Sequence, residues 1–152
     1  MRLIRCEVIS VRRHRELALE FAPGLTVIGG ANESGKSSLV EALHRTLFVR
    51  AASSVSASQD LRSQIHAGHP QIKIEFETSE QQWTLLKCFS GPSGTTQLKA
   101  KGQVGLIGSA AEDQLAKVLG IDEILTSRQV NKSLPTRWAH LWVKQGESGR
   151  NL

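Results

Sequence analysis

Cysteine is scarce in this chain: Cys6 and Cys88 stand singly among apolar neighbours, with no C-x-x-C pair and no histidine-rich spacing. That pattern excludes a disulfide framework and a Cys/His zinc site, and leaves two reduced core thiols. Long apolar runs are also missing. Arginines break up the first residues, so the roughly 7–15 residue apolar stretch of a signal peptide does not form. No run approaches the ~20 apolar residues of a membrane span. The reading is therefore a soluble, cytoplasmic protein with no membrane partner. Acidic residues are in deficit, 14 against 19 Lys plus Arg, for a net charge of +5 and a pI near 9.6. This surplus suits nucleotide, nucleic acid or plain solubility without choosing among them. There is no internal repeat, no low-complexity tract and no heptad pattern. At 152 residues the chain buries one ordinary core, which implies one domain over 1–152.

What is present begins with alternation. "LIRCEVISV" and "ELALEF" each carry the period of two that marks half-exposed strands, and predict an antiparallel pair. Pro23 and Gly24 punctuate them. "LTVI" then reads as a short, fully apolar strand buried in a central sheet. It runs into "GGANESGKSS", and from Ser37 to about Val49 the residues Leu39, Val40, Leu43, Leu47 and Phe48 recur at helical spacing. Residues 51–70 read as a long surface connection, with one helical turn at "SQDLRSQI". "QIKIEFET", "WTLLKCF" and "TTQLKA" predict a three-stranded meander with "SGPSG" as a turn. "SAAEDQLAKVLG" predicts a helix with a Ser109–Glu112 capping box and Gly120 as its stop. "RWAHLWVKQGE" alternates again and predicts a strand that delivers Gln145 to a loop. Trp138 and Trp142 share one face of it, where they either fill the core or stack on a base.

The glycine segment carries the chemistry. Gly30, four residues, Gly35, Lys36 and Ser37 fit G-x-x-x-x-G-K-[ST], the phosphate-binding loop of nucleoside triphosphatases, in its required order of strand, loop and helix. Glycines at 30 and 35 permit backbone angles and close approach that a Cβ obstructs, so N–H groups from Asn32 through Glu33, Ser34 and Gly35 to Ser37 converge on a phosphate. Lys36 supplies a mobile point charge for the β- and γ-phosphates. Ser37 offers its hydroxyl to Mg²⁺, and Ser38 lies in the first helical turn, where the dipole favours an anion. The elements together predict an α/β P-loop domain, a mixed sheet around the loop's own strand with the meander on one side. Asn32 has a second reading, since Asn tolerates left-handed turns.

At these residues the chain resembles a family. "GLTVIGGANESGKSSLVEAL", preceded by "RRHRELALEF" and followed by "LWVKQGE", is similar to the N-terminal lobe of the ABC-type ATPase heads of the SMC-like group, with its RecF-like, SbcC-type and YhaN-like branches. The resemblance spans nearly the whole chain. It implies ATP and Mg²⁺ as ligands and hydrolysis once a C-terminal lobe completes the head. It also implies an ATP-dependent second head, and a role in DNA repair or genome maintenance with DNA and a nuclease subunit as partners. It places Gln145 at Mg²⁺ and the attacking water, where position alone would make it a solvated loop glutamine. It places Arg12 and His14 near bound nucleotide. The loop departs from the commoner G-P-N-G-S-G-K-S form at Ala31 and Glu33. A glutamate there occurs in the YhaN-like branch and in the one named for overcoming lysogenization defect.

Two parts of a complete head do not stand out: an acidic pair after an apolar strand, and a serine-glycine signature. "VLGIDE" offers Asp122 and Glu123, but Gly120 stops a helix and the preceding "EDQLAKV" is too polar for a buried strand. A self-contained kinase or GTPase using Asp122 is the alternative reading, against which "NKSL" puts Leu134 where a guanine-reading aspartate belongs. A module that grips nucleic-acid backbone phosphates is a third, resting on positive charge alone. Arg2, Arg5, Arg12, Arg13 and Arg15 read as a solvated strand surface more readily than as a DNA-facing stripe, because alternation divides them between faces.

Overall fold

The computed structural model describes residues 1–53 and 60–134. The opening alternation folds as β1 (Arg2–Val11) and β2 (His14–Glu20), an antiparallel hairpin in which Val11 pairs with His14. The helix after the glycine loop is α1 (Lys36–Phe48). The meander is β3 (Gln71–Glu77), β4 (Gln82–Cys88) and β5 (Thr95–Ala100), with a short 3-10 turn over Gly91–Ser93. A two-residue edge strand β6 (Leu106–Ile107) leads into α2 (Gly108–Leu119), and α3 (Ser127–Ser133) follows. One six-stranded sheet joins them in the order β2-β1-β3-β4-β5-β6, every pairing antiparallel. β1 therefore pairs with β3, so the first hairpin and the meander are one surface.

Alternation divides that surface into two faces. Cys6, Val8, Ile72, Ile74, Phe76, Leu85 and Leu98 point inward and are buried. α1 covers β1 and β3, and α2 covers β5 and β6. α1 buries Leu39, Leu43 and Leu47, one turn apart, and leaves Val40 outside. Each such leucine contributes about 1.5–3 kcal/mol by leaving water. α2 stops where the sequence predicts: Gly120 adopts φ 68°, and the N–H groups of Gly120 and Ile121 bond the carbonyls of Lys117 and Ala116 at 3.1 and 3.0 Å. This is the Schellman closure, which favours glycine because of the left-handed φ. Burial also pushes the Cys6 thiol up to about 12, in keeping with a reduced core residue.

Three expectations are corrected. Residues 25–28 form no strand: Leu25 and Val27 are 87% and 80% exposed and the segment pairs with no strand of the sheet. Its apolar run satisfies one requirement of a buried strand, but a neighbour on either side is the other. The Ser109–Glu112 capping box does not form; α2 starts from Ile107 with no side-chain cap, and Glu112 is buried instead. Its carboxylate accepts from Lys87 at 2.8 Å, Thr96 at 2.6 Å and the Ala51 N–H at 3.1 Å. A reciprocal capping box occurs at Thr126 and Gln129 of α3. Finally, the described part of "SQDLRSQI" holds a turn and a single bridge, Val11 to Arg62, rather than a helical turn. The expected strand of Trp138, Trp142 and Gln145 lies outside the described residues.

Candidate functional site

The glycine loop sits between the β1–β2 turn and the start of α1. Gly35 is the N-cap of α1 with φ 92°, and no side chain caps the first turn. A Cβ on Gly35 would run into the His14 ring, whose Nε2 lies 3.1 Å from the Gly35 carbonyl oxygen. Glycine is required here twice over, for its φ and for the close approach of the histidine. Gly30 lies behind the loop, where a Cβ would meet the Ser34 hydroxyl at 2.8 Å. Glu33 takes φ 61°, and Arg13 donates to its carbonyl at 3.1 Å and to its carboxylate at 3.4 Å. The hairpin turn thus holds the loop through two side chains.

Lys36 folds back over the loop. Its Nζ donates to the carbonyls of Gly30 and Ala31, both at 2.7 Å, and reaches the Ser34 hydroxyl at 3.4 Å. Ser37 and Ser38 follow in the first turn, which has no acidic residue. The N–H groups of a first helical turn have no intrahelical acceptor, so this uncapped end carries partial positive charge toward solvent. It opens on a cavity of about 950 Å³. Asn32, Glu33, Ser34, Gly35, Lys36, Ser37 and Ser38 line it together with Arg12. Of the nucleotide-site residues read from the sequence, Gly30 and His14 pack against the loop without lining the cavity, and Gln145 lies outside the described residues.

The rest of the lining was not read from the sequence as nucleotide-binding: Arg13 from the β1–β2 turn, and Asp60, Arg62, Gln64 and Ile65. The last four lie in the connection after α1, whose polar composition gives no periodic signal; the Val11–Arg62 bridge and the bonds from Arg12 to the Leu61 and Asp60 carbonyls bring it to the hairpin. Among the described residues, four cations and two carboxylates line the cavity, and both carboxylates are engaged by arginines, Glu33 by Arg13 and Asp60 by Arg45. Asp122 follows the α2 stop, is exposed and does not line the cavity. Among the described residues, no group of three His, Cys, Asp or Glu side chains is placed to hold a metal ion. A hydroxyl at a phosphate-sized cradle suits Mg²⁺, which takes few protein ligands and completes its shell with phosphate oxygens and water.

Comparison with known proteins adds the family. Residues 5–136 match the family described as AAA domain. The chain belongs to that family. Among curated relatives, this AAA domain is 24% identical over 120 residues to the DNA replication and repair protein RecF of Chloroherpeton thalassium, covering 79% of this chain and 30% of that one. It is 30% identical over 119 residues to RecF of Magnetococcus marinus, again covering 30% of the relative. The DNA double-strand break repair Rad50 ATPase of Pyrococcus abyssi is 29% identical over 92 residues, 59% of this chain and 10% of its own length. The AAA domain therefore spans about a third or less of the relatives it matches. A solved structure from work on ATP-driven dimerization and DNA-stimulated activation of SMC ATPases covers 93% of this chain and 97% of its own, with a TM-score of 0.51 and 19% identity. The α/β fold and the resemblance to SMC-like and RecF-type P-loop ATPase heads are borne out. No helix among the described residues is long and apolar enough to cross a membrane.

Proposed function

We propose that this AAA domain binds ATP with Mg²⁺ at the glycine loop and forms the N-terminal lobe of an SMC- or RecF-like ATPase head that acts in DNA repair or genome maintenance. The observation that carries the reading is the uncapped, acid-free start of α1, with Lys36 and Ser37 on one cavity. Backbone N–H groups of residues 32–38 cradle phosphate there. Lys36 would hold the phosphate oxygens in place of its two loop carbonyls, and the Ser37 hydroxyl would hold the metal. Arg12 and Ser38 serve the end of the triphosphate nearer the sugar. Bound ATP would supply the phosphoanhydride that the completed head hydrolyses. Gln145 is assigned, by the family resemblance, to Mg²⁺ and the attacking water.

The same reading makes the lobe catalytically incomplete. Among the described residues, the two carboxylates on the cavity are both paired with arginines, and neither is free to activate water. The exposed apolar residues Leu25 and Val27, just before the loop, support completion of the sheet by a C-terminal lobe; ATP-dependent pairing of heads, DNA binding and a nuclease partner rest on the family resemblance. Asp122, away from the cavity, gives the self-contained kinase or GTPase no support.

ATP titration and turnover on the 152-residue chain test the proposal together. Lys36→Ala removes a charged donor worth about 3 kcal/mol, so Kd rises roughly a hundredfold while the thermal midpoint holds. Turnover by the lone chain stays slow and rises when a cognate C-terminal lobe is added. Equal ATP affinity in a folded Lys36→Ala variant would remove the loop from the site.

A further inference from the structure

We infer that Glu41 and Arg45, on the second and third turns of α1, are positioning residues that fix the Arg12 guanidinium at the phosphate cavity. The inference rests on the nucleotide-binding reading of that cavity and goes further, because neither residue lines it.

Ser38, Glu41 and Arg45 are spaced i, i+3 and i+7, so they form one stripe of α1. That stripe faces the β1–β2 turn, where Arg12 sits with φ 48°. A non-glycine residue in that region costs on the order of 1–3 kcal/mol and persists only where its surroundings hold it. Here the Arg12 N–H bonds the Leu61 carbonyl at 3.0 Å. Its side chain is held as firmly: Nε donates to the Asp60 carbonyl at 2.8 Å and one terminal nitrogen to Glu41 at 2.6 Å. The other terminal nitrogen is directed at the Ser38 hydroxyl over a long 3.4 Å, in the open first turn of α1. Two edges of the guanidinium are therefore spent on orientation, and the third is presented to the cavity.

Glu41 is itself held. Its second oxygen accepts from Arg45 Nε at 3.0 Å, and Arg45, 7% exposed, donates to Asp60 Oδ2 at 2.9 Å. Arg12, Glu41, Arg45 and Asp60 close a ring through the Asp60 backbone. Two positive and two negative side chains sum to no net charge, so the ring adds little long-range attraction for an anion. What it adds is orientation: a long side chain with several rotatable bonds meets phosphate with its rotamer already chosen.

Positioning and bulk charge predict opposite signs. Glu41→Gln adds one positive charge beside the cavity, which by charge alone tightens ATP binding. If Glu41 positions Arg12, the same change loosens it. The experiment measures ATP Kd for the 152-residue chain and its Glu41→Gln, Glu41→Asp, Arg12→Ala, Lys36→Ala and Arg12→Ala/Glu41→Gln variants, with thermal unfolding of each as the check on folding. We expect Glu41→Gln to raise Kd about tenfold, and the double variant to be no weaker than Arg12→Ala alone. Glu41→Asp keeps the charge and shortens the reach; it should also weaken binding, and it stands in should Glu41→Gln fail to fold. Unchanged or tighter ATP binding by folded Glu41→Gln and Glu41→Asp, with binding still lost in Lys36→Ala, overturns the positioning role alone. A parent chain that binds no ATP overturns the nucleotide site and this inference together.

Discussion

Lys87 is completely buried on the inner face of β4, its Nζ 2.7 Å from the Val49 carbonyl oxygen and 2.8 Å from the Glu112 carboxylate. Burial holds the ammonium below its ordinary range, and the charge of Glu112 opposes that shift. The pair fastens β4 to α2 and to the chain leaving α1. Such a pair adds little net stability over an apolar replacement, yet breaking it strands a charge without water. Lys87→Met should therefore lower unfolding free energy by about 3–5 kcal/mol, whereas Lys87→Met/Glu112→Leu should recover much of the loss. Denaturant titration of the parent and the two variants decides it, and equal losses for the single and double changes would sink the argument. The network was not legible in the sequence. Alternation placed Lys87 on the same face as Leu85, but its partner lies 25 residues away. Glu112 also satisfied the spacing of a cap. A cap contributes about 1 kcal/mol, less than leaving the buried ammonium unpaired would cost, so the tertiary partner prevails. The loop residues 30–38, by contrast, were legible, because their roles depend on one another within nine positions of chain.

The elements divide along the same line. The five longer strands and α1 and α2 follow from periods of two and 3.6, because one face of each is buried and the other is not. Residues 25–28 show what periodicity cannot supply, since an apolar run becomes a strand only beside a partner. Close approaches between elements are equally silent in sequence. Gly94, in the β4–β5 turn, has an ordinary φ of −57°, yet a Cβ there would run into the carbonyl of Ala51 in the segment after α1. Gly94→Ala must push the turn away from backbone, not from a flexible side chain, at about 1–3 kcal/mol. Gly24→Ala, with nothing within 4 Å of the added carbon, should stay within ~0.5 kcal/mol of the parent. Equilibrium unfolding of the two variants checks the contrast, and a Gly94→Ala chain as stable as Gly24→Ala would show that the turn yields freely.

At the scale of the molecule, the positive charge is less concentrated than the composition suggests. Arg2 pairs with Glu77, Arg5 with Glu7 and Glu20, Arg12 with Glu41 and Arg13 with Glu33. This is the solvated strand surface read from alternation, and the cavity is where cations exceed carboxylates. The sheet order has a further consequence, in time rather than in space. β3 and β4 close across the four residues 78–81, and β1 and β2 across two, but β1 meets β3 through pairs such as Arg2 and Glu77, 75 positions apart. Loop-closure entropy makes the near pairings fast and the far one slow. During refolding, amides of β3–β5 should gain protection from hydrogen exchange before those by which β1 bonds to β3, and ATP binding should appear only with the later phase. Simultaneous protection of β1 and the meander in a pulsed-exchange experiment would refute that order. During synthesis the glycine loop leaves the ribosome well before β3, the strand that anchors its hairpin. A loop made early would thus gain its function late, and until Glu77 has emerged the nascent chain should carry the whole phosphate motif without a site to hold phosphate.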